Sequence, residues 1–176
     1  MSTPQHSKKI NKTTLPSDSL LKSYAAQEAY TDCYSTDLFG NFTFENYVEA
    51  FYTTRLFKLE RFILKWLVSK PSSDQQARQL SEGLIDHFAA WTVEERADKQ
   101  ILMCDFQNRT RSWLMLESVR KENEIYTQLY FGSAVVRNVN GTNRLGVFFN
   151  LLLGFHNLYS KALLKAARKR LLVERQ

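Results

Sequence analysis

Cysteine is scarce in this chain of 176 residues, with two in all, and so are proline (three), histidine (three) and glycine (six). Cys33 and Cys104 sit far apart in apolar surroundings, so they read as reduced, buried thiols rather than a disulfide. His6, His87 and His156 are irregularly spaced and make no metal site with two distant cysteines, so neither a metal nor any other cofactor is expected. The segment GTNRLG (141–146) fits neither a P-loop nor a dinucleotide fingerprint and reads as a strand-to-helix loop. There is no G-x-S-x-G elbow and no evident Cys/His pair, which removes the common signatures of nucleophilic catalysis. No run approaches the ~18 apolar residues of a membrane span. The longest candidate, Leu145 to Leu153, is broken by Asn150. The first residues lack the ~7–15-residue apolar core of a signal peptide, which makes a cytoplasmic location the expectation.

What the chain does have is material for a core: 44% hydrophobic residues and 13% aromatics. Its length suits one domain. We expect residues 1–18 to be a disordered polar tail and 19–176 a single domain. The net charge of +6 is confined to the ends, +2 over residues 1–18 and +5 over 158–176, which leaves the body at −1. A basic groove across the fold is therefore not supported, and no nucleic-acid partner is expected.

Ala29 to Leu38 carries the aromatic and β-branched residues of a strand. Gly40 and Asn41 turn the chain, and Thr43 is placed to N-cap a helix from Phe44, with Glu45 and Glu49 suited to its dipole. Helical spacing changes phase at Thr53-Thr54, which predicts two short helices or one bent helix ending near Ser69-Lys70-Pro71. Ser73 with Gln76 forms a capping box for a further helix through about Leu84. The period then becomes that of strands: His87 to Glu94, Gln100 to Phe106, Thr110 to Glu117 and Ile125 to Val136. Their short polar links demand antiparallel neighbours. Leu145 to about Leu172 closes the chain as a long helix, with Phe148, Leu152, Phe155, Tyr159, Leu163 and Ala166 on one stripe. A sheet this apolar needs a cover, and the last helix is long enough to supply it. The expected class is α+β, a helix-grip in which a curved antiparallel sheet wraps around the C-terminal helix and can leave an apolar cavity between them.

Four segments, LFKLERFIL (56–64), LMCDFQNRTRSWL (102–114), LYFGSAVV (129–136) and LLGFHNLYSKALL (152–164), give the span from Ala29 to Leu172 a resemblance to a known family. It resembles the START/polyketide-cyclase superfamily of helix-grip proteins, and more closely an uncharacterised bacterial branch of it, a domain of unknown function. The resemblance implies the fold and a habit of holding hydrophobic ligands; it implies no reaction.

The densest polar cluster is Asp105, Arg109, Arg111 and Ser112 beside Trp113. A three-residue loop at 107–109 sets Asp105 opposite Arg111 as a cross-strand ion pair, worth about 0.2–1 kcal/mol. A two-residue loop sets Phe106 there instead and dissolves the pair. In the functional version Arg111 reaches inward and holds a ligand carboxylate or phosphate at the cavity floor. Trp113, Trp91, Phe155 and Tyr159 are the aromatic candidates for the same site. Ile125 to Val136 is apolar on both faces, so its outer face needs the N-terminal segment or a second subunit in a homodimer. The basic helix end KALLKAARKRLL (161–172) suits anionic lipid, or, more simply, complements the helix dipole while its stems cover the sheet edge.

Three functions are compatible with these readings. The first, which the aromatic wealth favours, is a binding or carrier protein for a hydrophobic small molecule or lipid held in the cavity. The second is a cyclase- or hydratase-like enzyme using Asp105, Asp32 or His156 as acid or base. The third is a non-catalytic interaction protein whose core its own side chains fill.

Overall fold

The computed structural model describes residues 9–68, 71–121, 123–136 and 146–173, with residues 60, 63–68 and 146–157 described by backbone alone. Short β1 (Asn11–Lys12) and α1 (Lys22–Ala26) precede the long strand β2 (Tyr30–Phe39). Helices α2 (Phe44–Tyr52), α3 (Arg55–Val68) and α4 (Asp74–Ser81) follow. Then come β3 (His87–Phe88), β4 (Trp91–Ala97), β5 (Gln100–Asp105), β6 (Thr110–Lys121), β7 (Glu124–Val135) and α5 (Gly146–Val173).

The class is α+β, with one open antiparallel sheet of seven strands in the order β1-β2-β7-β6-β5-β4-β3. The meander β4 to β7 follows from the short links, and β2 closes onto β7 over its whole length. Both edge strands are only two residues long. No helix among the described residues is long and apolar enough to cross a membrane.

Local chemistry sets the helix ends as the sequence predicts. Thr43 Oγ1 accepts from Asn46 N at 3.2 Å, and the Ser73–Gln76 capping box is complete. Thr53 and Thr54 separate α2 from α3, their hydroxyls turned back onto the carbonyls of Glu49 and Phe51. Arg61, its side chain largely buried, ties α3 to the head of α4 through Asp74 at 2.7 Å.

Several expectations are corrected. The strand foreseen from His87 to Glu94 is two strands, because Ala89 takes a positive φ of 53°. The helical cover is shared: Tyr47, Val48 and Phe51 of α2, Phe57 of α3 and Leu80 of α4 join Leu163, Leu164 and Leu171 of α5 in the main core. Among the described side chains of α5 the buried ones are Ser160, Leu163, Leu164, Ala167, Arg168 and Leu171, so the stripe is rotated away from Tyr159 and Ala166. Phe148, Leu152 and Phe155 lie outside the described side chains.

The N-terminal segment joins the fold before residue 18. Asn11 and Lys12 pair with Ser35 and Tyr34, and Ile10 packs on the main core. Leu15, Leu20, Leu21 and Tyr24 then cover the outer face of the sheet, over Leu102, Trp113, Met115 and Tyr130. Of the two covers foreseen for that face, the chain's own N-terminal segment takes the centre. Gln100 fastens it: Gln100 Oε1 accepts from Leu20 N at 3.1 Å and Trp113 Nε1 at 3.0 Å, while Nε2 donates to Asp18 O at 3.1 Å. At the other end of the molecule Arg170 donates to the Thr53 carbonyl at 2.8 Å, so part of the basic end of α5 caps α2.

Candidate functional site

Strand alternation divides the sheet into two faces with different company. Tyr34, Leu38, Ile101, Met103, Leu114, Leu116, Leu129 and Phe131 face the helices; Cys33, Leu102, Trp113, Met115, Tyr130 and Ala134 face the N-terminal segment. A pocket of about 230 Å³ opens on the helical side. Among the described residues, the aromatics Phe51, Phe57, Trp91, Phe131 and Tyr159 line it, together with Leu163. Its polar lining comes from β6 and β7: Thr110, Ser112 and Ser133.

The register explains that polar end. Ser112 pairs with Ser133, and Ser133 pairs with Asp32, so three polar residues form one rung across β6, β7 and β2. All three are buried. Asp32 Oδ1 accepts from Ser133 N at 3.1 Å and Ser133 Oγ at 2.5 Å. Among the described residues, nothing hydrogen-bonds the buried Oδ2 of Asp32. A buried polar atom without a partner costs about 1–3 kcal/mol, so packing alone does not account for this carboxylate.

Asp32 also acts on its chain neighbours. Burial, with the Asp32 charge beside it, pushes the Cys33 thiol from its ordinary 9.0 up to about 12 and the Tyr34 phenol from 10.0 up to about 12. Burial likewise raises Tyr130, helped by Glu117, and raises Tyr47. Raised values favour the neutral, protonated forms in the folded protein. Their contribution is therefore complete below pH 9 and is lost as pH climbs through the folded values. Unfolding free energy measured in urea should be flat from neutral pH to about 9 and fall steeply between 9 and 12. A curve level to pH 12 would contradict this.

The expected anchors divide between the faces. Trp91 and Tyr159 line the pocket. Trp113 does not; it is fully buried on the outer face. Phe155 and His156 fall in the part of α5 whose side chains are outside the described residues. Asp105 is neither an ion-pair partner of Arg111 nor a pocket acid. Cys104 stands opposite Arg111, the turn takes four residues with Asn108 at φ 58°, and Asp105 Oδ1 caps it by accepting from Arg109 N (2.7 Å) and Thr110 N (2.9 Å).

Arg111 borders the pocket through its place on β6, but its guanidinium belongs to the other face. There Nε lies 2.6 Å from Glu94 Oε2 and donates to Tyr24 Oη at 2.8 Å, while Nη2 donates to Asn108 Oδ1 at 2.5 Å. The Tyr24 hydroxyl donates to Glu94, and the guanidinium carbon stands 4.9 Å from the Tyr24 ring centre. The inward anchor for a ligand carboxylate or phosphate is thereby corrected: Arg111 is a latch for the N-terminal segment. Arg111→Met should cost about 1–3 kcal/mol in a denaturant melt, by stripping hydrogen bonds from charged Glu94. It should leave pocket occupancy unchanged; loss of occupancy at full stability would restore the anchor.

Sequence reasoning missed Ser133, Thr110, Phe51, Phe57 and Phe131 as pocket residues. A signal existed for Ser133, which with Thr127 is polar on a β7 face otherwise carrying Ile125, Leu129, Phe131 and Val135. No family model and no curated protein matches this chain.

Proposed function

We propose that the protein binds a small hydrophobic molecule, of the size of one substituted ring, in the pocket between the sheet and the helices. The observation that carries this reading is the pocket itself, apolar and aromatic on most of its wall with one polar rung at its end. That is the common form of a small-molecule site. A void of about 150 Å³ lined by apolar side chains takes up benzene, and sites for drug-sized ligands begin near 300 Å³. At about 230 Å³ the pocket suits a single ring better than a sterol or a long acyl chain. The antiparallel sheet with a long helix after its last strand is compatible with the helix-grip fold, and the segment resemblance to START-like proteins supports the same habit of ligand holding.

Native mass spectrometry of freshly isolated protein tests the reading, followed by incubation with a mixture of monocyclic arenes, a fatty acid and a sterol. A bound mass of one-ring size, released on denaturation, is the expected result. A bare protein after every incubation would favour the interaction protein with a filled core.

One observation favours a second reading, the cyclase- or hydratase-like enzyme. Asp32 is buried on the rung that reaches the pocket and keeps one oxygen unpartnered among the described residues, as a general acid or base would. A ligand recovered chemically altered after incubation, and unaltered with Asp32→Asn, would move the assignment there.

A further inference from the structure

The rung gives the proposed ligand a chemical class, an inference that rests on the pocket being a binding site. Ser112 and Ser133 line the polar end of the pocket, and Ser133 is bonded directly to Asp32 one strand behind. Asp32 has an exposure of only 3% and an Oδ2 with no hydrogen-bond partner among the described residues. The one basic side chain bordering the pocket among the described residues, Arg111, is committed on the opposite face to Glu94, Tyr24 and Asn108. The polar end is thus lined by hydroxyls and backed, through Ser133, by the Asp32 carboxylate, with no described cation directed into it.

Two consequences follow from electrostatics at low dielectric. An anionic head brought against this rung would meet the Asp32 charge without a counter-ion, the arrangement in which like charges repel most strongly. A head that donates a hydrogen bond finds acceptors instead, and hydrogen bonds in such a site are strengthened by a charged acceptor. We infer that the pocket selects a single ring bearing a neutral hydrogen-bond donor, as in a phenol or an aniline, and rejects the same ring bearing a carboxylate. The aromatic wall at Phe51, Phe57, Phe131 and Trp91 holds the ring, and the Asp32–Ser133–Ser112 rung reads the head.

Titration of the full chain with phenol, toluene and benzoate, followed by NMR, separates the two levels of this argument. Toluene asks only whether the pocket takes a ring. The expected result is phenol about tenfold tighter than toluene, as one hydrogen bond to a charged network provides, with benzoate weaker than toluene. Asp32→Asn keeps the side-chain shape, so it should reduce the phenol-to-toluene ratio to near one and relieve the exclusion of benzoate. Ser112→Ala, which removes one hydroxyl and leaves the Asp32–Ser133 bonds in place, should lower phenol binding severalfold with toluene unchanged. It serves if Asp32→Asn fails to fold. Toluene binding as tightly as phenol, or benzoate binding best, overturns the donor selectivity while leaving the ring pocket standing. Failure of all three to bind removes the pocket reading and the inference with it.

Discussion

Replacing Phe51 by alanine lowers the unfolding free energy by about 3–5 kcal/mol, the range for truncating a large aromatic in a core. Phe51 is 1% exposed and sits at the meeting point of the helical cover. Its ring centre lies 4.9 Å from Phe131, 5.2 Å from Tyr52 and 6.2 Å from both Tyr47 and Phe57. Tyr47 cannot swing far to fill the gap, because its hydroxyl is tied to the Tyr130 carbonyl at 2.9 Å. Phe51 also borders the pocket, so the void it leaves joins space already present. A two-ring arene should then restore part of the lost stability, since a ligand that binds only the folded state stabilises it by mass action. Urea melts with and without naphthalene check both halves. A loss below about 1 kcal/mol would mean that neighbouring rings collapse into the void and that the pocket is not held open.

Trp113→Ala carries a comparable cost, again about 3–5 kcal/mol, for a different reason. Trp113 is fully buried under the N-terminal segment, on the face away from the pocket. It fills the space between Leu21, Met115 and Tyr130, and its indole N–H holds Gln100 Oε1 at 3.0 Å. Removing it leaves a cavity and loosens the Gln100 clamp on Asp18 and Leu20. Limited proteolysis should therefore cut the variant around residues 13–27 at protease levels that spare the parent. Since Trp113 and Phe51 sit in separate clusters on opposite faces, the two losses should add when the substitutions are combined. Undiminished protease resistance in Trp113→Ala would show that the segment is held by something other than this cluster.

How much of this could be read from the residues is uneven, for physical reasons. Strands β2, β5 and β7 fall within a residue or so of expectation, because alternation and turn residues are local signals. The caps at Thr43 and Ser73 were legible for the same reason. Which face a strand residue takes depends on loop length, and one residue of register changes every partner. A four-residue turn at 106–109, with Asn108 at positive φ, therefore sent Arg111 to Glu94, seventeen residues upstream, where neighbouring sequence gave no hint. The rung Asp32–Ser133–Ser112 joins residues about 100 and 20 positions apart, so no motif window contains it. The N-terminal cover was foreseen only as one of two choices. Its leucines are sparse within a polar stretch, and only the apolar outer face of β7 demanded them.

Ligand binding requires that the space beside Phe51 and Leu163 admit a ring from solution. Benzene added to protein with labelled methyl groups, followed by ¹H–¹³C NMR, tests this most directly. Saturable shifts at Leu163, in the pocket, with Met115 on the outer face unmoved, are the predicted result. Leu163 methyls that stay fixed up to the solubility limit of benzene would contradict it, and would leave the aromatic cluster as core alone.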